Sequence, residues 1–542
     1  MPWASGPRRP AARRRIPVRP NIIFIMSDDH ASRAISAYGA GLNHTPNLDR
    51  LAQEGMRHDA TYVTNSICTP SRAAILTGTH NHTNCVTTLV THLDNRMPNL
   101  AKSLRSSGYA TGIYGKWHLG EGPAHQPTGF DEWAVVPGQG DYWDPAFIFP
   151  DGRRNIAGYA TDIITDMSVD FIRRHGSTDG DKPFFLMCHH KAPHRSFEPH
   201  PRHAHLWEDE DIPLPETFND DYANRAKAAE AAKMRVRSDM TWEDLALVQP
   251  VGPAEVAGEL VVDFLKSRKV PDLMPGKEIT VICAETGTKH HFDDPQAFAE
   301  FKYQRFMKRY LRTVQSIDDG VGRILDTLDE TGLAENTIVV YTSDQGFFLG
   351  EHGWFDKRYM YEESLQMPFL VRYPAAIPAG STSSDICCNV DFAPTFLDYA
   401  GVTIPSYMQG SSMRPVLEGR TPEDWDQLAY HRYWMHNDAF HGAWAHYGVR
   451  DPRWKLIYWY NDDLGQIGAR PNGAAPEWEL FDCENDPHEL TNLAGDPAYR
   501  AEFERMLGLL DRRMAEIGDI PEHDSAAVLA SLAGPEAAHQ QA

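Results

Sequence analysis

Short apolar stretches recur along the chain, and each is followed by polar residues. They occupy residues 21–30, 110–114, 182–190, 337–342 and 368–374. A continuous apolar run of this kind is typical of a strand buried on both faces of a sheet. In open α/β sheets, ligands gather at the carboxyl ends of the strands. The pattern therefore predicts an α/β fold with a functional site where these strands end.

Helical spacing of apolar residues is clearest between Tyr303 and Leu328, and Gly332 follows where a C-cap belongs. Asp318 and Asp319 lie within this segment, and we interpret them as a solvated helix face rather than as metal ligands. This stretch predicts one long helix beside the sheet.

The chain changes character along its length, which predicts more than one structural unit. Residues 200–300 are polar and irregular, and we expect them to form the rim of the site. After about residue 410, aromatic segments alternate with turns, which predicts a small antiparallel sheet followed by a helix near 499–517. In chain order, we predict a disordered basic tail at 1–20, a catalytic domain at 21–405, a C-terminal subdomain at 406–520 and a disordered tail at 521–542.

Composition excludes several classes of protein. The net charge of -23 over 542 residues argues against a general nucleic-acid binder. Seven cysteines in a chain of this length do not make a disulfide framework. No stretch reaches the roughly 18–20 apolar residues of a membrane span. The first 20 residues contain six arginines and no apolar core of a secretory signal, so we expect a cytoplasmic protein.

Two strand ends carry oxygen-rich side chains. Asp28 and Asp29 end the first apolar run, and Asp344 and Gln345 follow the run at 337–342. Two adjacent carboxylates repel each other unless a cation holds them, and hard divalent cations prefer oxygen ligands. Acidic capping of a following helix is the alternative, but it accounts for one aspartate better than for the pair.

A second group of residues suits an anionic substrate. Cys68 stands at the start of a helical run, where the helix dipole favours an anion, and Arg72 follows it by four positions. Lys116 and His118 are two residues apart in an extended segment, so both face the same side. His194 lies just beyond another strand. The alternative for Cys68 is a small, buried and inert thiol, and each single Lys or His has an equally ordinary structural interpretation.

The run Cys68-Thr69-Pro70-Ser71-Arg72, taken together with the Asp28, Lys116 and Asp344 regions, resembles the pattern of type I sulfatases over roughly residues 21–400. The resemblance implies an alkaline-phosphatase-like fold, with a large mixed sheet flanked by helices and a smaller C-terminal subdomain. It also implies that Cys68 is oxidised to formylglycine by a formylglycine-generating enzyme. The ligands that it implies for one Ca²⁺ ion are Asp28, Asp29, Asp344, Gln345 and the hydrated residue 68. Many relatives have Asn where this chain has Gln345.

The same resemblance implies roles for the remaining residues. One hydroxyl of the residue 68 hydrate attacks sulfur, while Lys116 and Lys357 hold the sulfuryl oxygens. The resemblance further implies that Arg72 stabilises the hydrate and that His194 protonates the leaving oxygen with help from Lys357. It implies that His118 takes the proton of the remaining hydroxyl group, so that sulfate is released. A plain thiol at position 68 does not support this elimination.

Segments near 343–363 and 446–490 resemble N-acetylglucosamine-6-sulfatases and related bacterial glycan sulfatases. The resemblance implies a sulfated sugar or glycan as the substrate, with 6-sulfated N-acetylglucosamine as one candidate. Aromatic and His residues near 431–446 either contact a sugar ring or pack the small sheet. Two further hypotheses stay open: a phosphonate or phosphate diester hydrolase with the same nucleophile, and a non-catalytic anion- or glycan-binding protein. The oligomeric state and exo or endo action also stay open.

Overall fold

The structure, a computed structural model, describes residues 19–176, 182–251, 254–257, 259–261 and 264–532. Residues 1–18, which make up most of the first predicted tail, lie outside the described residues, and so does the end of the second tail, residues 533–542.

Strands and helices alternate through the first three quarters of the chain. The strands are β1 Asn21–Asp28, β2 Met56–Tyr62, β3 Ala110–Lys116, β4 Glu132–Val136, β5 Ala146–Phe149, β6 Gly152–Asn155, β7 Phe184–Pro193, β8 Ala254–Val256, β9 Glu259–Val261, β10 Ile279–Ile282, β11 Lys289–Phe292, β12 Thr337–Ser343, β13 Phe348–Leu349, β14 Phe355–Asp356, β15 Gln366–Arg372, β16 Ser381–Ser383, β17 Cys387–Cys388, β18 Ala429–Tyr433, β19 His446–Arg450, β20 Trp454–Trp459 and β21 Glu477–Asp482. The α-helices are α1 Pro46–Gln53, α2 Cys68–Thr77, α3 Asn81–Asn84, α4 Leu100–Ser106, α5 Ala160–His175, α6 Lys227–Ala231, α7 Phe264–Ser267, α8 Pro295–Glu330, α9 Glu362–Leu365, α10 Phe392–Tyr399, α11 Arg414–Leu417, α12 Arg500–Ile517 and α13 Ser525–Leu532.

An 11-stranded mixed sheet forms the centre of the large domain. Its order is β16-β2-β15-β12-β1-β7-β3-β4-β5-β6, with β17 beside β2. β1 runs parallel to both β7 and β12, and β3 runs parallel to β7 and β4. β15 is antiparallel to β12 and β2. The carboxyl ends of β1, β3, β7 and β12 therefore meet at one edge. The predicted α/β fold with a large mixed sheet is confirmed.

Helices cover both faces of this sheet because its central strands are apolar on both sides. Alternate residues of β1 enter different cores, since side chains alternate across a strand. Phe24 packs with residues of α2, α4 and α10, whereas Ile23 and Ile25 pack with α5 and α8. The sheet is thus held rigidly between two helical layers, and the loops at its carboxyl edge start from fixed positions.

The long helix predicted at 303–328 is confirmed within α8, but the solvated face predicted for Asp318 is wrong. Asp318 is 2% exposed and accepts hydrogen bonds from the backbone N–H groups of Asn47 (3.1 Å) and Leu48 (2.8 Å). These groups belong to the first turn of α1, which lacks intrahelical acceptors. Burial raises the pKa of Asp318 to about 6. Asp319 instead pairs with Arg202 and His203. Asp318 is a cap.

The C-terminal subdomain contains the predicted antiparallel sheet, in the order β18-β19-β20-β21. One face packs on α12 through a cluster that includes Leu456 and Leu510, and the other face contributes Ile457 to the core of the large domain. Part of the tail predicted at 521–542 forms the helix α13, Ser525–Leu532. There α13 is held by hydrogen bonds from His523 (2.9 Å) and Ser525 (2.9 Å) to Asp511.

Residues 200–300 form short elements joined by loops and pack against the first half of α8. Their core includes Trp242 and Leu245, in contact with a cluster that contains Phe306 and Tyr310. Among the described residues, no helix has both the length and the apolar character that spanning a bilayer requires.

Candidate active site

Three carboxylates meet at the carboxyl ends of β1 and β12. Ser27 is paired with Ser343 in the sheet, so the residues that follow each of them come together. Asp28 ends β1, and Asp29 adopts a left-handed backbone conformation (φ 68°) that turns the chain out of the sheet. The backbone N–H of Asp29 donates to Asp344 Oδ1 at 3.2 Å. All three side chains are buried.

Each carboxylate has a cationic partner. Lys116, the last residue of β3, contacts Asp28 Oδ2 through its Nζ. Lys357 Nζ lies 2.5 and 2.7 Å from the two carboxylate oxygens of Asp29. Arg72 Nε donates to Asp344 Oδ2 at 3.0 Å. Six buried charges of both signs are therefore packed into one site, which requires close pairing to be tolerated.

This group of residues fits a divalent cation. Asp28 Oδ1 and Gln345 Oε1 are buried, and neither has a hydrogen-bond partner among the described residues. The amide nitrogen of Gln345 donates to Asp29 at 2.5 Å. Ligand atoms of Asp28, Asp29 and His194 lie within 4.8 Å of one another. Buried oxygen atoms without partners are costly, and a hard cation with oxygen ligands satisfies them.

The pKa values of the three carboxyl groups shift in different directions, because burial raises each of them and the neighbouring charges differ. Burial would raise the pKa of Asp28, but Lys116, His194, Arg72 and Lys357 hold it well below its usual range. Burial, together with the neighbouring Asp28 carboxylate, raises the pKa of Asp344 to about 7. Burial also raises the pKa of Asp29 to about 6, although Lys357 opposes the shift.

Cys68 is the first residue of α2 and is 1% exposed. Pro70 stands in the first turn, a position where a proline fits because its missing N–H is not needed. Arg72, one turn further on, also donates to the backbone oxygen of Lys116 at 2.9 Å, so it ties the start of α2 to the end of β3. Burial raises the pKa of the Cys68 thiol in spite of nearby Lys116 and Lys357. The unmodified thiol is therefore neutral and a poor nucleophile at neutral pH.

Two histidines stand beside this helix start. His118 Nδ1 lies 3.3 Å from Thr69 Oγ1, and His118 has a left-handed backbone conformation (φ 53°). His194 Nδ1 lies 2.9 Å from the carbonyl oxygen of Arg195, which can only accept, so the proton is on Nδ1. His194 Nε2 then faces Asp29 Oδ2 at 3.7 Å. Burial holds the pKa of both rings well below the usual range, so both are neutral.

A cavity of about 570 Å³ opens above Cys68. Its lining includes residues that the sequence analysis did not single out: Gln139, Lys191, Arg195, Asp244, Asp356, Arg358 and His441. Gln139 lies in a loop with two glycines after β4, and its Oε1 accepts from Lys116 Nζ. This loop reaches the site because β4 pairs with β3, and the sequence analysis did not predict β4.

One wall of the cavity combines residues from both domains. Arg358 Nη1 donates to Asp356 Oδ1 at 2.8 Å, and Arg358 Nη2 lies 2.8 Å from His441 Nδ1. Arg358, Lys357 and His441 hold the pKa of Asp356 well below its usual range, although burial opposes this. His441 comes from the C-terminal subdomain, as the sequence analysis allowed for residues 431–446. His431 and His446, in contrast, stack on each other beneath the site.

Thr241, Glu243, Asp244 and Arg268 also line the cavity, which confirms residues 200–300 as part of the site rim. All the sequence-predicted residues Asp28, Asp29, Cys68, Arg72, Lys116, His118, His194, Asp344, Gln345 and Lys357 lie in this one site, joined by the contacts given above.

Buried lysine, arginine and carboxylate side chains thus meet beside the start of α2, where a helix N-terminus favours an anion. The profile described as "Sulfatase" matches residues 20–402, and the profile described as "N-sulphoglucosamine sulphohydrolase, C-terminal" matches residues 350–516. The chain belongs to the sulfatase family, and it is a sulfuric ester hydrolase.

Individual relatives agree with this assignment. The chain is 42% identical over 520 residues to the N-acetylglucosamine-6-O-sulfatase of Bacteroides thetaiotaomicron, covering 94% of this chain and 89% of that protein. A solved structure of a sulfatase-like protein bound to its substrate, D-glucosamine-2-N,6-O-disulfate, superposes with a TM-score of 0.79 at 41% identity, covering 92% of this chain and 98% of that one. A phosphonate monoester hydrolase from Silicibacter pomeroyi shares the fold at a TM-score of 0.64 and 21% identity, covering 92% and 95%. That last similarity concerns the fold alone.

Proposed function

We propose that this enzyme removes the 6-O-sulfate from a glucosamine derivative such as N-acetylglucosamine 6-sulfate. The observation that carries the proposal is the cavity of about 570 Å³ above Cys68, which combines the sulfate-binding lysine Lys357 with Asp356, Arg358 and His441 in its wall. A cavity of this kind accommodates a sugar ring, and charged side chains in its wall suit hydroxyl groups. The relatives named above, which act on 6-sulfated glucosamine, support the proposal.

We also propose that one divalent cation, Ca²⁺, is held by Asp28, Asp29, Asp344, Gln345 and the converted residue 68. Such an ion supplies positive charge that lowers the energy of a bound sulfuryl group. The amide oxygen of Gln345, like Asp28 Oδ1, has no hydrogen-bond partner among the described residues, so it is available as a ligand. Because Gln and Asn both present an amide oxygen, the substitution of Gln for Asn keeps the site oxygen-rich.

The nucleophile in this proposal is formylglycine at position 68, formed by a formylglycine-generating enzyme. The neutral Cys68 thiol is unsuited to the reaction, since its pKa is raised by burial. An aldehyde hydrate carries two hydroxyl groups on one carbon, so one of them attacks and the other drives release of the product. The start of α2 favours negative charge on this group.

The proposed reaction uses the residues of this chain in sequence. Lys116 and Lys357 hold the sulfuryl oxygens, and Arg72 fixes the hydrate. A hydrate oxygen forms a bond to sulfur, the bond from sulfur to the sugar oxygen breaks, and the sugar oxygen takes a proton. His118 then removes the proton of the second hydroxyl, the carbon–oxygen bond to sulfate breaks, and the aldehyde forms again. Water restores the hydrate, so one ester and one water give an alcohol and hydrogen sulfate.

His194 is the proposed donor of the proton to the leaving sugar oxygen, in company with Lys357. In the free site, burial lowers the pKa of the His194 ring, and the proton of the neutral ring is on Nδ1, so Nε2 carries none. It therefore acquires a proton before it acts, and the negative charge of the bound sulfate ester favours this.

Replacement of His194 by Ala is expected to lower kcat/KM for a sugar 6-sulfate by about 10²–10⁴-fold, the usual contribution of a general acid. The same variant is expected to lose far less activity on 4-nitrophenyl sulfate, because nitrophenolate leaves without a proton. Steady-state kinetics on both substrates measure the difference. An equal loss on both would remove His194 from the role of acid.

Replacement of Arg358 by Ala is expected to lower kcat/KM for the sugar sulfate by about 10–100-fold, the effect of a lost charged hydrogen bond. Turnover of 4-nitrophenyl sulfate, which has no sugar hydroxyl groups, is expected to change little. The control variant is Arg153→Ala, which removes an exposed arginine of β6. A parallel loss on both substrates would mean that Arg358 supports the site rather than the sugar.

The substrate is tested with a panel of monosaccharides that differ only in the position of one sulfate. We expect release of sulfate from N-acetylglucosamine 6-sulfate, and at least 100-fold lower kcat/KM on the 3-sulfate, on the order of the discrimination that a site with built-in hydrogen bonds achieves. A phenyl phosphonate in the same panel tests the alternative ester class. Preference for the 3-sulfate or for the phosphonate would overturn the proposal.

A further inference from the structure

One cation in the wall of the cavity has no opposite charge beside it. Lys191 lies on β7 and is 4% exposed. Its Nζ donates to the backbone oxygen of Arg195 at 3.0 Å and lies 4.3 Å from the centre of the Tyr142 ring. No carboxylate of the described residues lies within 4.0 Å of it. The ammonium group has three donors, so two of them have no acceptor within the described part of the chain.

The other lysine and arginine residues in the cavity wall differ from Lys191, because each has a carboxylate partner. These pairs are Lys357 with Asp29, Arg195 with Asp244, Arg358 with Asp356, and Arg268 with Glu243. A buried charge without a partner is costly and is retained where a ligand supplies the partner. Burial, with Lys116 nearby, lowers the pKa of Lys191 to about 8, although more distant carboxylates oppose the shift.

Lys191 is also separate from the cluster that holds the sulfate to be cleaved. Lys116 and Lys357 each contact an aspartate of the proposed cation site, whereas Lys191 contacts none. The wall that carries Lys191 continues through Tyr142 to Trp143, which is 40% exposed. This wall therefore runs from the buried site toward the mouth of the cavity.

We propose that Lys191 binds a second anionic group of the substrate, the N-sulfo group of a 6-sulfated glucosamine. This inference rests on the proposed function. An N-sulfo group offers three acceptor oxygens and one negative charge, which match the two free donors and the charge of Lys191. Lys191 then distinguishes an N-sulfated sugar from an N-acetylated one at the same site.

The test compares 6-O-desulfation of glucosamine-2-N,6-O-disulfate with that of N-acetylglucosamine 6-sulfate, using the active enzyme. Lys191→Met is expected to lower kcat/KM for the disulfate by about 10–100-fold, as the loss of a hydrogen bond between charged groups does. For the N-acetylated sugar, less than about a threefold change is expected. Lys191→Arg keeps the charge and is expected to keep the preference. Arg153→Met removes an exposed cation of β6, which is not among the residues that line the cavity, and is expected to change neither value.

Equal losses on the two substrates in Lys191→Met would overturn the proposal, because they would place Lys191 at the cleaved sulfate or in the support of the cavity. A loss confined to a disaccharide with a neighbouring uronate would assign Lys191 to a carboxylate instead, and would overturn the N-sulfo assignment.

Calorimetric binding of N-sulfoglucosamine, which lacks a 6-sulfate, gives a readout without turnover. If the wild type cleaves no 6-sulfate, the proposed function fails. If the wild type binds N-sulfoglucosamine and Lys191→Met does not, Lys191 is still supported as the site of the N-sulfo group. If the wild type does not bind it, or if both proteins bind it equally, this assignment is overturned.

Discussion

Replacement of Cys68 by Ala is expected to abolish sulfatase activity, with kcat/KM lowered by about 10⁴-fold or more, as the loss of a covalent nucleophile does. Cys68 is the only residue whose side chain stands both at the start of α2 and in the floor of the cavity, within the described chain. Steady-state hydrolysis of a sugar sulfate and of an aryl sulfate measures the loss. Both substrates are expected to be affected alike, because each needs the same nucleophile to displace its leaving group from sulfur.

Cys85 provides the matched control for this variant, because it is a free cysteine that is exposed. Cys85→Ala is expected to keep full activity. Thermal unfolding of the Cys68→Ala variant is expected to resemble that of the wild type, since the substitution removes one small atom group. Substantial activity in folded Cys68→Ala would contradict the proposed nucleophile.

Replacement of Asp344 by Asn is expected to give the second large loss, about 10³-fold or more in kcat/KM, because it removes one negative oxygen ligand from the cation site. It also removes the partner of Arg72, which holds the start of α2 in place. Metal content by elemental analysis, together with activity, measures both consequences. We expect the variant to be purified with much less Ca²⁺ than the wild type.

Asp318→Asn is the control for a buried aspartate outside the site. It weakens the cap of α1, so its expected effect is about 1 kcal/mol lower stability, with metal content unchanged. Full metal content and activity in Asp344→Asn would show that Asp344 is not a ligand of a required cation.

The sequence predicted those parts of the site that lie directly at the ends of apolar strands. Asp28 and Lys116 are the last residues of β1 and β3, so the strand pattern alone placed them at one edge of the sheet. Cys68 and Arg72 lie one helical turn apart, and this short spacing is a local feature that the sequence shows directly.

The parts that the sequence did not predict depend on contacts between distant segments. Gln139 reaches Lys116 because β4 pairs with β3, and β4 gave no clear pattern. His441 reaches Arg358 across 83 positions, from a loop of the C-terminal subdomain. Asp318 has the spacing of an exposed residue on α8, but α1 covers it, and no local pattern records which helix packs on top. Lys191 has no carboxylate partner among the described residues, a feature that only a three-dimensional structure reveals.

The central claim is that residue 68 is an aldehyde that attacks sulfur. Mass spectrometry of the tryptic peptide at 58–72, from enzyme made in its own host, tests it most directly. Conversion of the thiol to an aldehyde replaces H₂S by O and lowers the peptide mass by about 18 Da. We expect this mass, with the converted fraction equal to the active fraction across preparations. Full activity on N-acetylglucosamine 6-sulfate from a preparation with an unmodified thiol at position 68 would contradict the account.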